Sequence, residues 1–229
     1  MLAPHRTKRR PSARPNPEKA FSKDRRYGDL NPRNFDSIIR AFERRVLHWY
    51  FFQAKEIKEK VQAQGFIITQ IACTIIDVLS QYVYNLQESD GNYYKRFLKE
   101  HIAEFNGFID PPIKSFTYLK RDRKWKVEEI RDFADAFWHA FRCGVVHNAM
   151  ILDYGRISGE DIVGKGRIVC LRTWGNGERE VAVNPFELMD RLEEVFRNYI
   201  GQLLDPKNKQ LRRNFSDKFY LSFGLRIVP

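Results

Sequence analysis

IRDFADAFWHAFRCGVVHNAM, residues 130–150, is the stretch that decides the fold of this chain. Apolar residues recur through it at intervals of three and four, which is the period of a helix with one buried face. These residues are Ile130, Phe133, Ala134, Phe137, Phe141 and Val145. The spacing predicts a helix over residues 127–150, with Arg142 and His147 at opposite borders of its apolar stripe.

Arg142 and His147 have side chains that suit the chemistry of phosphate esters. Arginine presents a planar fork of N–H donors that matches phosphate oxygens, and histidine is the side chain that most readily exchanges protons near neutral pH. The two residues are therefore candidate catalytic residues.

The spacing of this pair is unusual for a helix. Five positions at 100° per residue place two side chains about 140° apart around the axis, whereas neighbours on one face are three or four positions apart. Two arrangements would bring Arg142 and His147 together. In the first, Gly144 would distort the helix between them. In the second, another copy of the chain would supply the missing half of the site.

Three more helices are predicted before this one. The first begins after Asn34, a good capping residue, and ends before Gly65, and the second covers about residues 66–86. A third follows the turn-like residues 88–92 and runs to about Phe105.

Residues 66–86 are apolar except along one polar strip, which consists of Gln70, Thr74, Asp77 and Gln81. The strip is either a solvated edge or a face turned toward the Arg142–His147 pair, where Asp77 would orient one of the two. Asn148 projects from the apolar side of the predicted motif helix and should need hydrogen-bond partners, so it is a second supporting candidate.

The hydrophobic period changes after residue 150. Strand-forming residues flank Gly175-Asn176-Gly177 and predict a β-hairpin over about residues 166–183. Asn184-Pro185-Phe186-Glu187 is a typical helix start and predicts a fifth helix up to about Leu203.

We therefore predict a mainly α fold, a bundle of about five helices with a β-hairpin inserted between the fourth and the fifth. Residues 1–33, rich in proline and arginine, are expected to be a disordered basic arm. Residues 34–205 would form the helical domain, and residues 206–229 a basic linker with an apolar tail that adds a strand.

The net charge of +11 favours an anionic partner such as nucleic acid. Residues 1–26 hold nine of the basic residues, Arg9 and Arg10 among them, against Glu18 and Asp24. A second basic stretch carries two aromatic rings, Tyr118 and Trp125. Its cations are Lys120, Arg121, Arg123, Lys124 and Lys126. Cations with interleaved rings are typical of surfaces that bind single-stranded RNA, although such runs are also common on solvated surfaces.

The sequence contains few other signs of a functional site. Cys73, Cys143 and Cys170 are scattered, so neither a disulfide framework nor a metal site is predicted, and no cofactor-binding motif is found. Gln70 and Asp77 interrupt the longest apolar run, so no membrane span is expected, and we predict a cytoplasmic protein.

Arg142 and His147, as Arg-x-x-x-x-His near the end of a late helix in an all-α chain, resemble the motif of the HEPN superfamily (higher eukaryote and prokaryote nucleotide-binding). Many members are ribonucleases that need no metal. The polar residue that often follows the arginine is replaced here by Cys143. A subset of toxins has a tyrosine two positions after the histidine, and Ala149 at that position places this chain outside the subset.

The resemblance implies an endoribonuclease in which His147 is the general acid and base and Arg142 stabilises charge on the phosphate. It implies a homodimer through the motif-bearing helices, RNA ends with a 2′,3′-cyclic phosphate, and a role in bacterial or antiviral defence or as a toxin, with a regulatory partner protein. The alternative is a non-catalytic binding or assembly module in which Arg142 pairs with a carboxylate such as Asp77 and His147 caps a kinked helix.

Overall fold

The computed structural model describes residues 16–60, 64–119, 124–152 and 154–229, with the backbone alone at residues 59–60, 116–119, 124–126 and 148. Most of the described chain is helical with small sheets, so the predicted mainly α class is confirmed. The α-helices are α1 Phe35–Val46, α2 Gln53–Lys60, α3 Gly65–Tyr84, α4 Gly91–His101, α5 Phe133–Ala136, α6 Gly144–Asn148, α7 Glu160–Val163, α8 Pro185–Leu204 and α9 Lys209–Phe223. The strands are β1 Ala20–Ser22, β2 Arg25–Arg26, β3 Phe108–Leu119, β4 Lys124–Asp132, β5 Gly155–Ile157, β6 Val169–Thr173 and β7 Arg179–Val183.

The chain divides into two compact units. The first contains the described residues up to Tyr50 together with Val78–Ser89 and Phe196–Pro229, and the second contains Phe51–Asp77 and Asp90–Val195. Each has its own buried core, which is described separately below.

An aromatic cluster forms the core of the first unit. Phe42 packs against Tyr82 and Phe215 with ring centroids 4.8 and 5.3 Å apart. Phe21, in the middle of β1, lies 5.8 Å from Phe219. These rings each bury a large apolar area, and their tilted and edge-on contacts are the favoured geometries.

Both ends of the first unit differ from the sequence prediction. Residues 16–33 were expected to be disordered, but they contain the short β1–β2 hairpin, in which Phe21 is fully buried. Residues 206–229 were expected to hold a strand, but they form α9, which buries Phe215 and Phe219. In both segments the buried aromatic side chains stabilise a folded structure, although most of the neighbouring residues are polar.

The first predicted helix is divided in two. Asn34 caps it as expected, because its side chain accepts a hydrogen bond from the Ser37 backbone N–H at 2.9 Å. A π-helical segment, Leu47–Phe52, then separates α1 from α2.

A second aromatic core lies in the other unit, between α4 and the helix that carries the motif. Phe137 stacks on Phe141 at 5.2 Å and lies 5.4 Å edge-on to Phe105. Tyr94 and Phe97 complete the core and, like the other three, are almost fully buried. This packing holds one face of the motif helix against α4.

β3 and β4 pair as a long antiparallel hairpin that the sequence did not predict. The motif helix was expected to start at residue 127, but residues 127–132 belong to β4, with Ile130 opposite Ile113. The helix starts instead at Phe133, where the Asp132 side chain accepts a hydrogen bond from the Asp135 N–H at 2.8 Å. Pairing with the preceding strand has overridden the local helical period.

The predicted hairpin and fifth helix are confirmed. β6 and β7 pair antiparallel around the turn, with Gly177 at a φ of +84°, and β5 adds a parallel strand on the other edge of β7. Asn184 caps α8 by accepting from the Phe186 N–H at 3.1 Å.

Within the described residues, α3 is the one helix long and apolar enough to cross a membrane by length and composition. Half of its apolar window is buried inside the protein, which is also true of a central helix in a folded core.

Candidate active site

The motif helix contains a π turn. α5 leads into a π-helical segment, Phe137–Cys143, which leads into α6. A π turn holds one more residue than an α turn, so the rule that only residues three or four apart are neighbours does not apply across it. Such turns are frequent at functional sites.

The two candidate catalytic residues lie side by side where the π turn leads into α6. Nη1 of Arg142 lies 2.9 Å from Nε2 of His147. The contact is made within one chain, so a second copy is not needed to join this pair. Gly144 has ordinary helical angles, φ −61° and ψ −55°. The expected distortion of the helix at this glycine is therefore not observed.

Asp77 holds the other arm of the Arg142 guanidinium. Its Oδ2 accepts a hydrogen bond from Nη2 at 2.8 Å, and the side chains of Asp77 and Arg142 are 19% and 12% exposed. Burial lowers the pKa of Arg142, but the hydrogen bond and charge of Asp77 outweigh this and raise it. Of the two readings of the polar strip on α3, the geometry favours the one in which Asp77 faces the pair.

His147 is the accessible member of the pair. It is exposed, whereas Arg142 is largely covered. A guanidinium can only donate hydrogen bonds, so the contact requires Nε2 to be an acceptor and places the imidazole proton on Nδ1. The site thus presents an exposed imidazole beside a fixed cation.

Trp138 supports Arg142 from one turn earlier, with the guanidinium carbon 4.9 Å from the ring centroid. Cation–π contacts of this kind stabilise a partly desolvated guanidinium. Trp138 was not among the predicted site residues. Its position is a usable signal, because it is four positions before Arg142 and an aromatic ring at that spacing is within reach on a helix.

Gly144 has a different role from the predicted one. A side-chain Cβ built on it would lie 2.5 Å from the carbonyl oxygen of Met150. α6 ends at Asn148, and the next residue, Ala149, has a left-handed backbone with φ 52°. The chain then folds back, and the Leu152 N–H donates to the Ala140 carbonyl at 3.2 Å. Glycine is needed where the returning backbone comes this close.

Two thiols lie near the site, buried Cys73 and half-buried Cys143. Burial raises the pKa of Cys73 to about 12, although Tyr94 and Arg142 partly oppose it. Burial also raises the pKa of Cys143, against the effect of Arg142. Because the thiolate is the nucleophile, both thiols are poor nucleophiles near neutral pH.

Most of the predicted nucleic-acid contacts lie outside the described residues. Five of these residues are not among the described ones: Arg9, Arg10, Lys120, Arg121 and Arg123. Lys124, Trp125 and Lys126 are described by backbone alone, as the start of β4, and the side chain of Asn148 is likewise not described. In the described part of the chain, no group of three or more His, Cys, Asp and Glu side chains is placed to hold a metal ion.

A comparison of this chain with protein-family models, curated proteins and solved structures finds no match. The geometry of Asp77, Arg142 and His147 must therefore support any assignment of function.

Proposed function

We propose that this protein is a metal-independent, HEPN-like endoribonuclease. The observation that supports the proposal is the contact between Arg142 and His147, made with Asp77 behind it and the imidazole open to solvent. A fixed guanidinium beside an exposed imidazole provides the two functions that cleavage of a phosphodiester needs, charge stabilisation and proton transfer.

The reaction would begin when a phosphate of the RNA displaces the imidazole from the guanidinium. Nη1 of Arg142 then donates to a phosphate oxygen, and Nε2 of His147 is released to accept a proton. Asp77 remains bound to Nη2 and keeps the guanidinium plane oriented. Little reorganisation is needed, because each group is already placed.

The chemical step uses the RNA's own 2′-hydroxyl. His147 accepts its proton as the 2′ oxygen forms a bond to the neighbouring phosphorus, and the bond from phosphorus to the 5′ oxygen breaks. The proton passes from the imidazolium to that leaving oxygen. The products are a 2′,3′-cyclic phosphate and a 5′-hydroxyl, and the nucleophile does not depend on a metal-activated water.

The test is cleavage of end-labelled single-stranded RNA in EDTA. We expect His147→Ala and Arg142→Ala to lose at least about a hundredfold in rate, the usual size of a lost general base or phosphate contact. Asp77→Asn keeps an acceptor but loses the charge and should lose about tenfold. His101→Ala and Arg191→Ala, exposed residues on α4 and α8, are the matched controls and should cleave normally.

A non-catalytic RNA-binding or assembly module is the second candidate. It is favoured by the low exposure of the Arg142–Asp77 ion pair, which is the arrangement of a structural contact. Salt-sensitive RNA binding without cleavage, unchanged by His147→Ala, would support this module and contradict the ribonuclease.

Several biological properties remain part of the proposal. They are a cytoplasmic location, a homodimer through the motif helices, and a defence or toxin role with a partner protein that restrains the enzyme. With the pair joined inside one chain, the resemblance alone supports the dimer. Sedimentation of the purified protein would test it directly.

A further inference from the structure

The second unit contains a cavity that the proposed reaction does not use. Its volume is about 470 Å³, within the range of pockets that bind small organic ligands. Three segments surround it: the middle of β3, the turn of the β6–β7 hairpin, and the chain that follows α6. The lining residues that matter are Lys114, Ser115, Tyr154, Trp174, Glu178 and Arg179.

Trp174 provides an aromatic face at the rim of this cavity. Its side chain is 41% exposed, and its backbone N–H is fixed by the Glu178 carbonyl at 2.8 Å. The guanidinium carbons of Arg172 and Arg156 lie 4.5 and 5.7 Å from its ring centroid. An exposed ring held in place by cations is the kind of platform on which nucleic-acid bases stack.

The charges at the cavity suit an anion beside that ring. Arg172 and Arg156 both pair with Glu180, at 3.1 and 3.8 Å, which neutralises this carboxylate. Lys114 is exposed on β3, and Nη2 of Arg179 donates to the Asp110 carbonyl at 3.0 Å. Lys114 and Arg179 thus line the cavity with two cations, and Glu180 is already paired with arginines outside it.

Two hydroxyls add polar contacts in the wall. Tyr154 is only 8% exposed, and burial raises its pKa, with Ser115 near enough to oppose the shift by hydrogen bonding. The phenol is therefore protonated at neutral pH and can donate a hydrogen bond to a ligand.

The cavity lies beside the chain that returns to the motif helix. The Leu152 N–H donates to the carbonyl of Ala140 in that helix, and Leu152 and Tyr154 line the cavity. β3 also lines it, and the predicted RNA-binding cations follow β3 in the sequence.

We propose that this cavity is a base-binding subsite, which holds one nucleotide of the RNA with its base on Trp174 and its phosphate at Lys114. The inference rests on the proposed function for the identity of the ligand as an RNA strand. Carboxylates accept hydrogen bonds from exocyclic amino groups, so Glu178 at the rim should favour cytosine, adenine or guanine over uracil. The subsite would give the enzyme its sequence preference.

The test measures binding and cleavage separately. Binding of fluorescein-labelled eight-nucleotide RNAs to the full-length His147→Ala protein is followed by anisotropy in EDTA, with and without Trp174→Leu or Lys114→Gln. Phe108→Leu is the matched control, since Phe108 is an 83% exposed ring at the start of β3 that does not line the cavity. Thermal melting checks that each variant is folded.

We expect Trp174→Leu to weaken binding about tenfold, as loss of one base stack does, and to abolish the preference for cytidine over uridine oligonucleotides. Phe108→Leu should leave the binding affinity and the preference for cytidine unchanged. Folded Trp174→Leu and Lys114→Gln proteins that bind RNA like their parent would overturn the subsite. So would binding of free cytidine monophosphate, but not RNA, at the cavity.

The two proposals fail in different ways. Trp174-dependent RNA binding without cleavage by the wild-type protein supports the subsite and contradicts the ribonuclease. RNA cleavage whose rate and sequence preference are unaffected by Trp174→Leu supports the ribonuclease and contradicts the subsite.

Discussion

Asp77 and Arg142, 65 positions apart in the sequence, are joined by a hydrogen bond of 2.8 Å between a carboxylate on α3 and a guanidinium in the π turn. Both side chains are mostly covered, so neither charge is well solvated without the other. Loss of one partner leaves the remaining charge poorly compensated.

Asp77→Ala should therefore lower the free energy of unfolding by about 2 kcal/mol, the usual effect of removing one partner of a charged hydrogen bond. Urea denaturation measures this. Glu194→Ala removes a carboxylate from the exposed pair with Arg191 and should cost less than about 0.5 kcal/mol. Equal losses in the two variants would show that Asp77 is no more than a surface charge.

Gly144→Ala should destabilise the protein by about 1–3 kcal/mol, because its Cβ would meet the Met150 carbonyl. Gly201→Ala is the matched control in α8, where the new Cβ meets nothing within 4 Å. It should stabilise the protein by about 0.5–1 kcal/mol, since alanine is the better helix former. Chemical denaturation measures the free energy of unfolding of both variants. A Gly144→Ala protein as stable as the wild type would contradict the close approach of the Met150 carbonyl.

The Cys73 thiol should make stability fall as the pH rises above about 8.5, the ordinary value for an unfolded thiol. Its folded pKa is raised to about 12, so the unfolded chain loses this proton first and unfolding becomes more favourable. Cys73→Ala should show a smaller loss of stability between pH 8 and pH 9.5, a window below the ordinary pKa of tyrosine. If the free energy of unfolding depends on pH equally in the variant and the wild type, Cys73 is not the cause of the loss of stability.

The same burial predicts slow alkylation. Cys73 should react with iodoacetamide at pH 8 far more slowly in the folded protein than in urea, because both access and the thiolate fraction are reduced. Peptide mass spectrometry over time measures it. Half-buried Cys143 should react faster than Cys73, and the reverse order would contradict the placement of the two thiols.

His147 should carry its proton on Nδ1. Two-bond ¹H–¹⁵N correlation spectra of the neutral imidazole distinguish the two tautomers. We expect Arg142→Ala to remove this preference for His147 and to leave His101 unchanged. A wild-type spectrum with the proton on Nε2 would mean that the hydrogen bond to Arg142 is absent in solution.

Local signals predicted the parts of the fold that local interactions determine. Asn34 and Asn184 cap their helices because a capping side chain bonds to the N–H groups two or three residues on, and this is visible in sequence. Residues 127–132 were assigned to a helix because their spacing fits one, whereas their strand structure depends on pairing with β3, outside the stretch whose spacing was considered. The structure of α9 was missed for the same reason, since its stability comes from the rings that it buries.

The candidate site shows the same division. Arg142 and His147 were found from residue type and Asp77 from its place on a polar strip, but the geometry that joins them was not. The π turn was not predicted, because Phe137 and Phe141, which stack within it, are four positions apart and fit an ordinary helix equally well. Trp138 and the cavity around Trp174 were missed because their partners come from separate segments.

The π turn makes the alignment of Arg142 with Asp77 depend on chain length. A π turn is a helix with one surplus residue, so deleting Ala140 would restore regular winding. Arg142 and His147 would then rotate together by about 100° relative to the residues before the deletion. All three residues of the site would survive such a deletion, yet a crystal structure should find Arg142 turned away from Asp77. The register of the backbone, as much as the identity of any side chain, is what makes the site.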